Sequence, residues 1–473
     1  MNETEKAKSK ALITGTFIYA IGNLGTKILS FIIVPLYTYY IDPSDMGDYD
    51  LVNTTVSLLT PLLTLQIMDA AYAWMMRKES KSPDYIVAVY KFLITTSILS
   101  SAIILAVNYF VTIKYCYYMI ALLTLGRIFS ALHKLLRGLR NQKLFTIFGI
   151  LYTAIFLLLN LLQIVVLKQG VKALFQSAII SYSFCIVLLF ICEKRLRQVN
   201  FKTKSLSLQK EMLKFSIPLV PNQLNWWIMN SLDRYIIRFF LGSVSNGIYA
   251  IAYKFPSLLQ LIFNIFYLSW QDAAIVDKDK NPGEFYTKVF KLYYKISFSF
   301  LVFLIPFTKI FILIAMNEAY HSAINYIGFL YLGTVFQAFS SFFGVGYLKN
   351  DKTSQAATTS IYGAIINAVV NLAFIKLIGL YAAAISTFIA FLVMFIVRVI
   401  QTRKTMPIKI EYFKFIVLFL ISLATVIISI FTQIKYDIVL LVIGAVLFVI
   451  VNRNEILNII KSLVNKLKKG SKS

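Results

Sequence analysis

Long apolar segments alternate with short polar ones along the whole chain. The first predominantly apolar segment covers residues 11–40, and similar segments recur up to residue 452. Each reaches or exceeds the lower limit of the range of about 17–25 residues that an α-helix needs to cross the hydrocarbon core of a bilayer. The pattern predicts an all-α integral membrane protein with about 14 transmembrane helices.

The predicted helices fall into two groups of six and a final pair. The first group comprises 11–40, 47–76, 85–111, 115–139, 144–167 and 171–192. The second comprises 211–241, 246–275, 285–315, 321–348, 354–378 and 380–400, and the pair covers 413–433 and 436–452. The first segment is too long for a secretory signal peptide and lacks a cleavage pattern, so we expect it to be the first span.

An internal repeat relates the two groups of six. When the sequence is shifted by 200 residues, Gly47 and Tyr49 align with Gly247 and Tyr249. Because six helices return the chain to the side where it started, both halves would enter the membrane from the same face, as in parallel transporter repeats. We therefore predict two pseudo-symmetric six-helix bundles around a central cavity, followed by two C-terminal helices.

The domain boundaries follow from this grouping. An N-terminal lobe is predicted for 1–192, a basic cytoplasmic linker for 193–210 and a C-terminal lobe for 211–404. Helices 13 and 14 lie within 405–452, and 453–473 form a basic amphipathic tail. Isoleucines and leucines at helical spacing between lysines are typical of a helix that lies in the membrane interface.

The chain is strongly basic, with 47 Lys and Arg against 21 Asp and Glu and a net charge of +26. Roughly 32 of the basic residues lie in loops on the side of the N terminus and roughly 5 in loops on the other side, which places both termini in the cytoplasm. This asymmetry accounts for most of the charge, and nucleic acid is not expected as a partner.

Composition argues against metal and nucleotide chemistry. The two histidines and three cysteines have no zinc-ligand spacing, and the stretch Gly22–Lys27 lacks the spacing of a phosphate-binding loop. We therefore expect no metal site, no bound cofactor and no catalytic residues.

Ionisable residues several turns inside a span are costly and are therefore functional candidates. At 1.5 Å per residue, Lys27 and Arg127 fall near mid-membrane, and Arg234 and Lys254 fall in the outer half. Cations that line a cavity at several depths would suit an anionic cargo. Lys27 and Arg127 lie too deep to reach the surface easily.

Further candidates have a plainer alternative role. Lys291 and Lys295 fall in the cytoplasmic half and could also extend to the inner surface. Asp69 and Asp233 are the acidic candidates, for ion coupling or for pairing with a cation. Asp233 stands next to Arg234, and the two could equally serve helix packing.

Short motifs recur in the two halves. The first half contains Gly47-Asp48-Tyr49, and the second contains Asp233-Arg234-Tyr235 and Gly247-Ile248-Tyr249. With the chain length and the helix number, these motifs resemble the bacterial polysaccharide flippases of the O-antigen and capsule (Wzx) type. That family belongs to the multidrug/oligosaccharidyl-lipid/polysaccharide exporter superfamily.

The resemblance implies a flippase of the bacterial plasma (inner) membrane. It would move undecaprenyl-pyrophosphate-linked oligosaccharide repeat units from the inner to the outer leaflet by alternating access through a cationic cavity. The implied partners are this lipid-linked oligosaccharide and the bilayer, with polysaccharide polymerase machinery as an optional one. An ion gradient or the membrane potential could drive transport, with Asp69 as the candidate proton carrier. The family's Asp-Arg pair carries over to Asp233 and Arg234.

Three other functions stay open. A peptidoglycan-precursor (lipid II) flippase would share the fold, the helix number and the cationic cavity. A drug/cation antiporter of the same superfamily is disfavoured by the excess of buried Lys and Arg. A membrane-embedded polymerase or ligase would need a larger external loop than the sequence offers.

Overall fold

The protein is described here by a computed structural model that covers residues 31–77, 82–203, 205–276, 283–349 and 353–458. Within these ranges every regular element is a helix. The earlier helices are α1 (Val34–Tyr40), α2 (Pro43–Thr64), α3 (Ile67–Arg77), α4 (Ser82–Phe110), α5 (Cys116–Gly138), α6 (Gln142–Asn160), α7 (Lys172–Cys192), α8 (Lys194–Arg197) and α9 (Leu206–Ser216). The later ones are α10 (Val220–Val276), α11 (Gly283–Ala315), α12 (Ile324–Leu348), α13 (Thr353–Ile378), α14 (Leu380–Thr402), α15 (Tyr412–Phe431) and α16 (Ile434–Val451). The predicted all-α fold is confirmed.

In the described part of the chain, eleven helical segments are long and apolar enough to cross a membrane, and the bent pair α2–α3 makes a twelfth. One of the eleven, Leu206–Ala274, has 69 residues. At 1.5 Å per residue this is roughly 100 Å of helix, enough for two crossings. Most of the first predicted helix, 11–40, lies outside the described residues. The chain is therefore a multi-pass membrane protein, and the number of 14 spans stays a prediction.

The second predicted helix, 47–76, is broken rather than continuous. Leu65 and Gln66 have φ angles of 44° and 56°, and α2 and α3 are bent by 56° at this point. Consecutive left-handed residues other than glycine strain the backbone. The hydroxyl of Ser216, at the end of α9, donates to the Leu65 carbonyl at 2.7 Å. This hydrogen bond stabilises the break. Neither position carries glycine or proline, which is why the apolar pattern predicted one helix.

The predicted helices 211–241 and 246–275 meet in α10 at Gly242, which has φ 85° and ψ −179°. Only glycine adopts this conformation without strain. Under the 200-residue shift Gly242 corresponds to Asp42, the residue that precedes α2. A helix therefore begins at the same place in both halves, which supports the repeat.

The chain divides into two compact units, Met1–Ala250 and Ile251–Ser473. The division falls inside α10, just after the first turns that follow Gly242. It does not test the lobe boundaries drawn from the sequence at residues 192, 210 and 404, which stay predictions.

The core of the first unit lies among α3, α4, α5, α7 and α9. Its fully or nearly fully buried members include Ile67, Met75, Val89, Leu132, Leu136, Leu189 and Met212. These side chains recur at helical spacing on each element, so one apolar face of each helix is removed from lipid and water. The packing fixes the backbones that carry Asp69, Arg127 and Lys134.

The core of the second unit is aromatic and centres on α12. In its most apolar stretch 83% of the residues are buried, against 11% in α16. The Phe290 ring lies 5.0 Å from Phe343 and 5.5 Å from Phe339, both edge to face. Such pairs contribute about 0.5–1.5 kcal/mol beyond their area burial. This core supports α11, which carries Lys291 and Lys295.

Candidate functional site

The six cations predicted to line a cavity are distributed over both units. Arg127 and Arg234 belong to the first unit, whereas Lys254, Lys291 and Lys295 belong to the second. Lys254 is exposed on α10. Lys27 lies outside the described residues, so its role stays a prediction.

Arg127 lies inside the helix bundle of the first unit and is 1% exposed. Its Nε donates to the Leu123 carbonyl at 2.8 Å, and its Nη2 donates to the hydroxyls of Ser97 and Ser100 at 3.2 and 3.1 Å. The two serines are one turn apart on α4 and share a face. Its Nη1 is buried and has no hydrogen-bond partner among the described residues. These acceptors are neutral oxygens, so they leave the positive charge of Arg127 uncompensated.

Asp233 and Arg234 form a buried charge network in the part of α10 that precedes Gly242. The Arg234 Nη1 donates to Asp233 at 3.1 Å and to the Asn230 carbonyl at 2.6 Å. The Arg234 Nε lies 3.1 Å from a carboxylate oxygen of Asp50 on α2. Tyr249 donates a short hydrogen bond to the second oxygen of Asp233. Two carboxylates therefore surround one guanidinium, and the protein itself neutralises Arg234.

Sequence reasoning identified the Asp233-Arg234 pair but missed Asp50 as its third member. Asp50 lies within the second predicted helix, three residues after Gly47. It lies close to the start of that predicted helix, and carboxylates near helix ends are mostly exposed. The matching of Tyr49 with Tyr249 pointed to Tyr249, although not to its hydrogen bond with Asp233.

Asp48 connects α2 to two other segments of the first unit. Lys114, between α4 and α5, pairs with Asp48 at 2.6 Å and with Asp45 at 3.2 Å. The Ser243 hydroxyl donates to Asp48 at 2.6 Å, and the Arg238 Nε lies 3.5 Å from the same carboxylate. The hydrogen bond to Asp48 raises the pKa of Lys114.

Asp69 pairs with Lys134 at 2.5 Å, and their side chains are 30% and 28% exposed. Asp69 lies in the first turn of α3, directly after the break at Leu65, where the helix dipole favours a negative charge. Lys134 lies two turns beyond Arg127 on the same face of α5. The pair therefore joins a strained helix break to the helix that carries the buried arginine.

Lys291 and Lys295 both have carboxylate partners. Lys291 donates a short hydrogen bond to Glu411, and Lys295 donates to Glu455 at 2.9 Å. Hydrogen bonds from Lys291 and Lys414 lower the pKa of Glu411, which precedes α15. Both α11 lysines line a cavity of about 1020 Å³ between α11, α15 and the end of α16.

A third buried arginine, Arg398 on α14, was not singled out in the sequence. Its guanidinium donates to the hydroxyls of Thr359 and Ser360, each at 3.1 Å, and to the Ser340 carbonyl at 3.0 Å. Arg398 lies near the end of the predicted helix 380–400, from where an arginine ordinarily reaches the membrane surface. The side chain instead turns inward among neutral oxygens.

In the described ranges no group of three or more His, Cys, Asp or Glu side chains could hold a metal ion.

Comparison with known proteins identifies a family for this chain and solved structures that share its fold. Residues 12–270 match the sequence model of a family described as polysaccharide biosynthesis protein. No curated protein sequence matches the chain significantly.

Several solved structures share the fold. The lipid II flippase MurJ in an inward closed conformation matches with a TM-score of 0.69 and 14% identity, over 94% of this chain and 100% of that chain. An inward-facing multidrug resistance MATE family transporter of the MOP superfamily matches with 0.67 and 12% identity, over 82% of this chain and 98% of that one. A MATE protein in complex with MaL6 matches with 0.56 and 14% identity, over 82% and 95%. At these identities the likeness concerns the fold alone.

Proposed function

This chain belongs to the polysaccharide biosynthesis protein family, and on that premise we propose that it flips undecaprenyl-pyrophosphate-linked oligosaccharide repeat units across the bacterial plasma membrane. The solved proteins of similar fold include a lipid II flippase and a multidrug resistance transporter. The cargo would move from the inner to the outer leaflet for the synthesis of a surface polysaccharide. Both termini would lie in the cytoplasm.

A polar route is a physical necessity for this cargo. A sugar hydroxyl taken into hydrocarbon without a hydrogen-bond partner costs about 4–8 kcal/mol. An oligosaccharide carries many hydroxyls, so it cannot cross unaided. The protein must therefore shield the glycan and the pyrophosphate while the polyprenyl tail stays in lipid.

The observation that supports the proposal most strongly is the uncompensated charge of the buried Arg127. A guanidinium deep in a membrane bundle is costly, and its acceptors in the described structure are neutral oxygens, with Nη1 left unpartnered. A pyrophosphate would supply the missing negative charge and acceptors. Since Arg127 is buried here, α4 and α5 must open for this contact, as alternating access requires.

The membrane potential favours outward movement of the cargo. An inside-negative potential of 100 mV contributes about 2.3 kcal/mol for each negative charge moved outward, so two charges gain up to ~5 kcal/mol. Transport therefore needs no bound cofactor, and a proton carried by Asp69 would add to this driving force. Polysaccharide polymerase machinery would receive the flipped unit.

Complementation of a flippase-deficient strain tests the proposal. Lys27→Ala and Arg127→Ala are expected to abolish surface glycan at unchanged protein level, and Arg127→Lys to retain part of it because the charge remains. Lys172→Ala, at the exposed start of α7, is the matched control and should complement fully. Normal surface glycan with Arg127→Ala would contradict the assignment.

A lipid II flippase is the second candidate, because the MurJ fold spans 94% of this chain. Deleting the gene and identifying the accumulated lipid-linked glycan by mass spectrometry separates the two. Accumulated repeat units support the first function, and accumulated lipid II supports the second. A cation antiporter is disfavoured further, since Asp69 and Asp233 are both paired with basic side chains.

A further inference from the structure

We propose that the cavity between α11, α15 and the end of α16 binds an anionic phospholipid of the cytoplasmic leaflet. Lysine ammonium groups would hold the phosphate, and apolar side chains would hold an acyl chain. The site goes beyond the proposed transport, because it concerns the lipid around the protein rather than its cargo.

The cavity carries an excess of positive charge. Its basic lining consists of Lys288, Lys291, Lys295 and Lys414. Glu411 pairs with both Lys291 and Lys414, and Glu455 pairs with Lys295. Lys288 is exposed and makes no ion pair with any residue that the structure describes. Four ammonium groups share two carboxylates, so the site is complementary to an anion.

Apolar side chains form the rest of the wall. On α11, Phe285 and Leu292 alternate with Lys288 and Lys295 at intervals of three or four residues, which places all four on one helix face. On α15, Phe413 is 80% exposed at the first turn. A soluble anion would gain nothing from this apolar surface, whereas an acyl chain would.

The cavity lies at one end of its helices. Both α11 and α15 begin beside it, and α16 ends there. The polar segments on this side, 405–411 and 453–458, are those that the basic loops place in the cytoplasm. Basic pockets between membrane helices on this side are suited to anionic headgroups, because the inner leaflet is negatively charged.

The volume suits a lipid chain. At about 1020 Å³ the cavity lies at the upper end of the range for small-molecule sites. The amides of Asn454 and Asn458, one turn apart, add neutral hydrogen-bonding groups for a headgroup hydroxyl. A bound lipid would connect α11 to α15 and to the segment after α16, which the pairs Lys291–Glu411 and Lys295–Glu455 already join.

Thermal unfolding and native mass spectrometry of the full-length protein in detergent test the site. Dioleoylphosphatidylglycerol is expected to raise the unfolding midpoint and to remain bound, whereas dioleoylphosphatidylcholine is not. Lys288→Gln with Lys414→Gln should weaken the apparent affinity for phosphatidylglycerol at least fivefold. The matched pair Lys143→Gln with Lys210→Gln removes two exposed lysines of the first unit and should leave the affinity unchanged.

Further measurements distinguish a phospholipid from inorganic phosphate and from the transported lipid as the occupant of the cavity. An equal effect of both phospholipids, or an unchanged affinity of the cavity variant, overturns the proposal. Stabilisation by inorganic phosphate alone overturns the acyl-chain half of it. If undecaprenyl pyrophosphate displaces phosphatidylglycerol and binds more tightly, the cavity belongs to the cargo. None of these arms depends on glycan export, so failure here leaves the proposed transport untouched.

Discussion

Gly47 of α2 and Gly247 of α10 lie against each other, and the contact is reciprocal. A Cβ atom on Gly47 would stand 2.0 Å from the Ser243 carbonyl oxygen, and one on Gly247 would stand 1.8 Å from the Pro43 carbonyl oxygen. The 200-residue shift that aligns the glycines also aligns Pro43 with Ser243. Reciprocal contacts of this kind are produced by a two-fold relation between equivalent segments. The repeated segments around Gly47 and Gly247 therefore also contact each other within the first unit.

Alanine at either glycine is expected to destabilise the protein. The new methyl group would overlap a backbone oxygen that cannot rotate away, so the helices must separate, at a cost of about 1–3 kcal/mol or more. The Asn246 amide, which donates to the Gly47 carbonyl at 2.8 Å, would lose its acceptor geometry. A lower midpoint of thermal unfolding in detergent is the measurement.

Gly126→Ala is the matched control, because Gly126 also lies inside a helix. There the nearest atom to an added Cβ is 3.6 Å away, in the Tyr182 ring. The substitution should be neutral or slightly stabilising, since alanine is the better helix former. Equal midpoints for Gly47→Ala and Gly126→Ala would show that the α2–α10 contact is not tight.

Removal of the Arg234 side chain is expected to be strongly destabilising. Arg234→Leu leaves the buried carboxylate of Asp233 and the half-buried carboxylate of Asp50 without their cation, which costs about 3–5 kcal/mol. The loss of stability for Arg234→Lys should be smaller than for Arg234→Leu but not zero. An ammonium group keeps the charge, but it cannot reproduce the forked hydrogen bonding of a guanidinium. Urea or thermal unfolding in detergent gives the difference.

Arg238→Leu controls for the loss of charge on the same helix. Its side chain is 43% exposed and 3.5 Å from Asp48, so the expected loss is at most about 1 kcal/mol. A similar loss for both leucine variants would rule out a special role of the Asp50–Arg234–Asp233 network.

The stability of the protein is expected to fall at acidic pH because of Glu193. It follows α7, and hydrogen bonds from Arg195 and Asn141 lower its pKa from 4.5 to about 2. Because the folded-state pKa is depressed, the stabilisation is complete above the unfolded value near 4.5 and is lost as the pH falls towards 2. The unfolding midpoint measured between pH 7 and pH 3 should fall over the lower part of this range.

Glu193→Gln should start from a lower midpoint at pH 7 and decline less on acidification. Glu211→Gln, at an exposed position of α9, is the control and should follow the unmodified protein. An acid profile of Glu193→Gln that parallels the unmodified protein would remove Glu193 as the cause.

The helical architecture could be predicted because membrane helices must bury their own backbone hydrogen bonds and expose apolar side chains. That requirement leaves a long-range pattern in the sequence. The break at Leu65 and Gln66 leaves none, because it depends on tertiary contacts such as the Ser216 hydrogen bond. Local propensity predicts breaks at glycine or proline, and neither is present there.

For the charged residues, too, the sequence predicts position along a helix but not tertiary contacts. Counting depth along a helix placed Arg127 near mid-membrane, but depth does not show which way a side chain turns. Arg398 was missed for this reason, and Lys291 and Lys295 proved to be paired with Glu411 and Glu455, far along the sequence. Pairing partners on other helices follow from packing, which the apolar pattern does not encode.

Asp69 offers the test of ion coupling. If its carboxylate carries a proton during transport, Asp69→Asn should abolish the response of flipping to a pH gradient and leave the response to the membrane potential intact. The measurement is flipping of lipid-linked oligosaccharide in proteoliposomes under each imposed gradient. One proton moved down a gradient of one pH unit supplies roughly 1.4 kcal/mol of driving force, and this contribution should disappear in Asp69→Asn.

The control variants separate coupling from the structural role of the ion pair. Lys134→Gln removes the partner at 2.5 Å but keeps the carboxylate, so flipping should still respond to a pH gradient. Asp84→Asn, at an exposed site near the start of α4, should change nothing. A full pH response of Asp69→Asn would leave the membrane potential as the driving force and Asp69 as a support for the helix break.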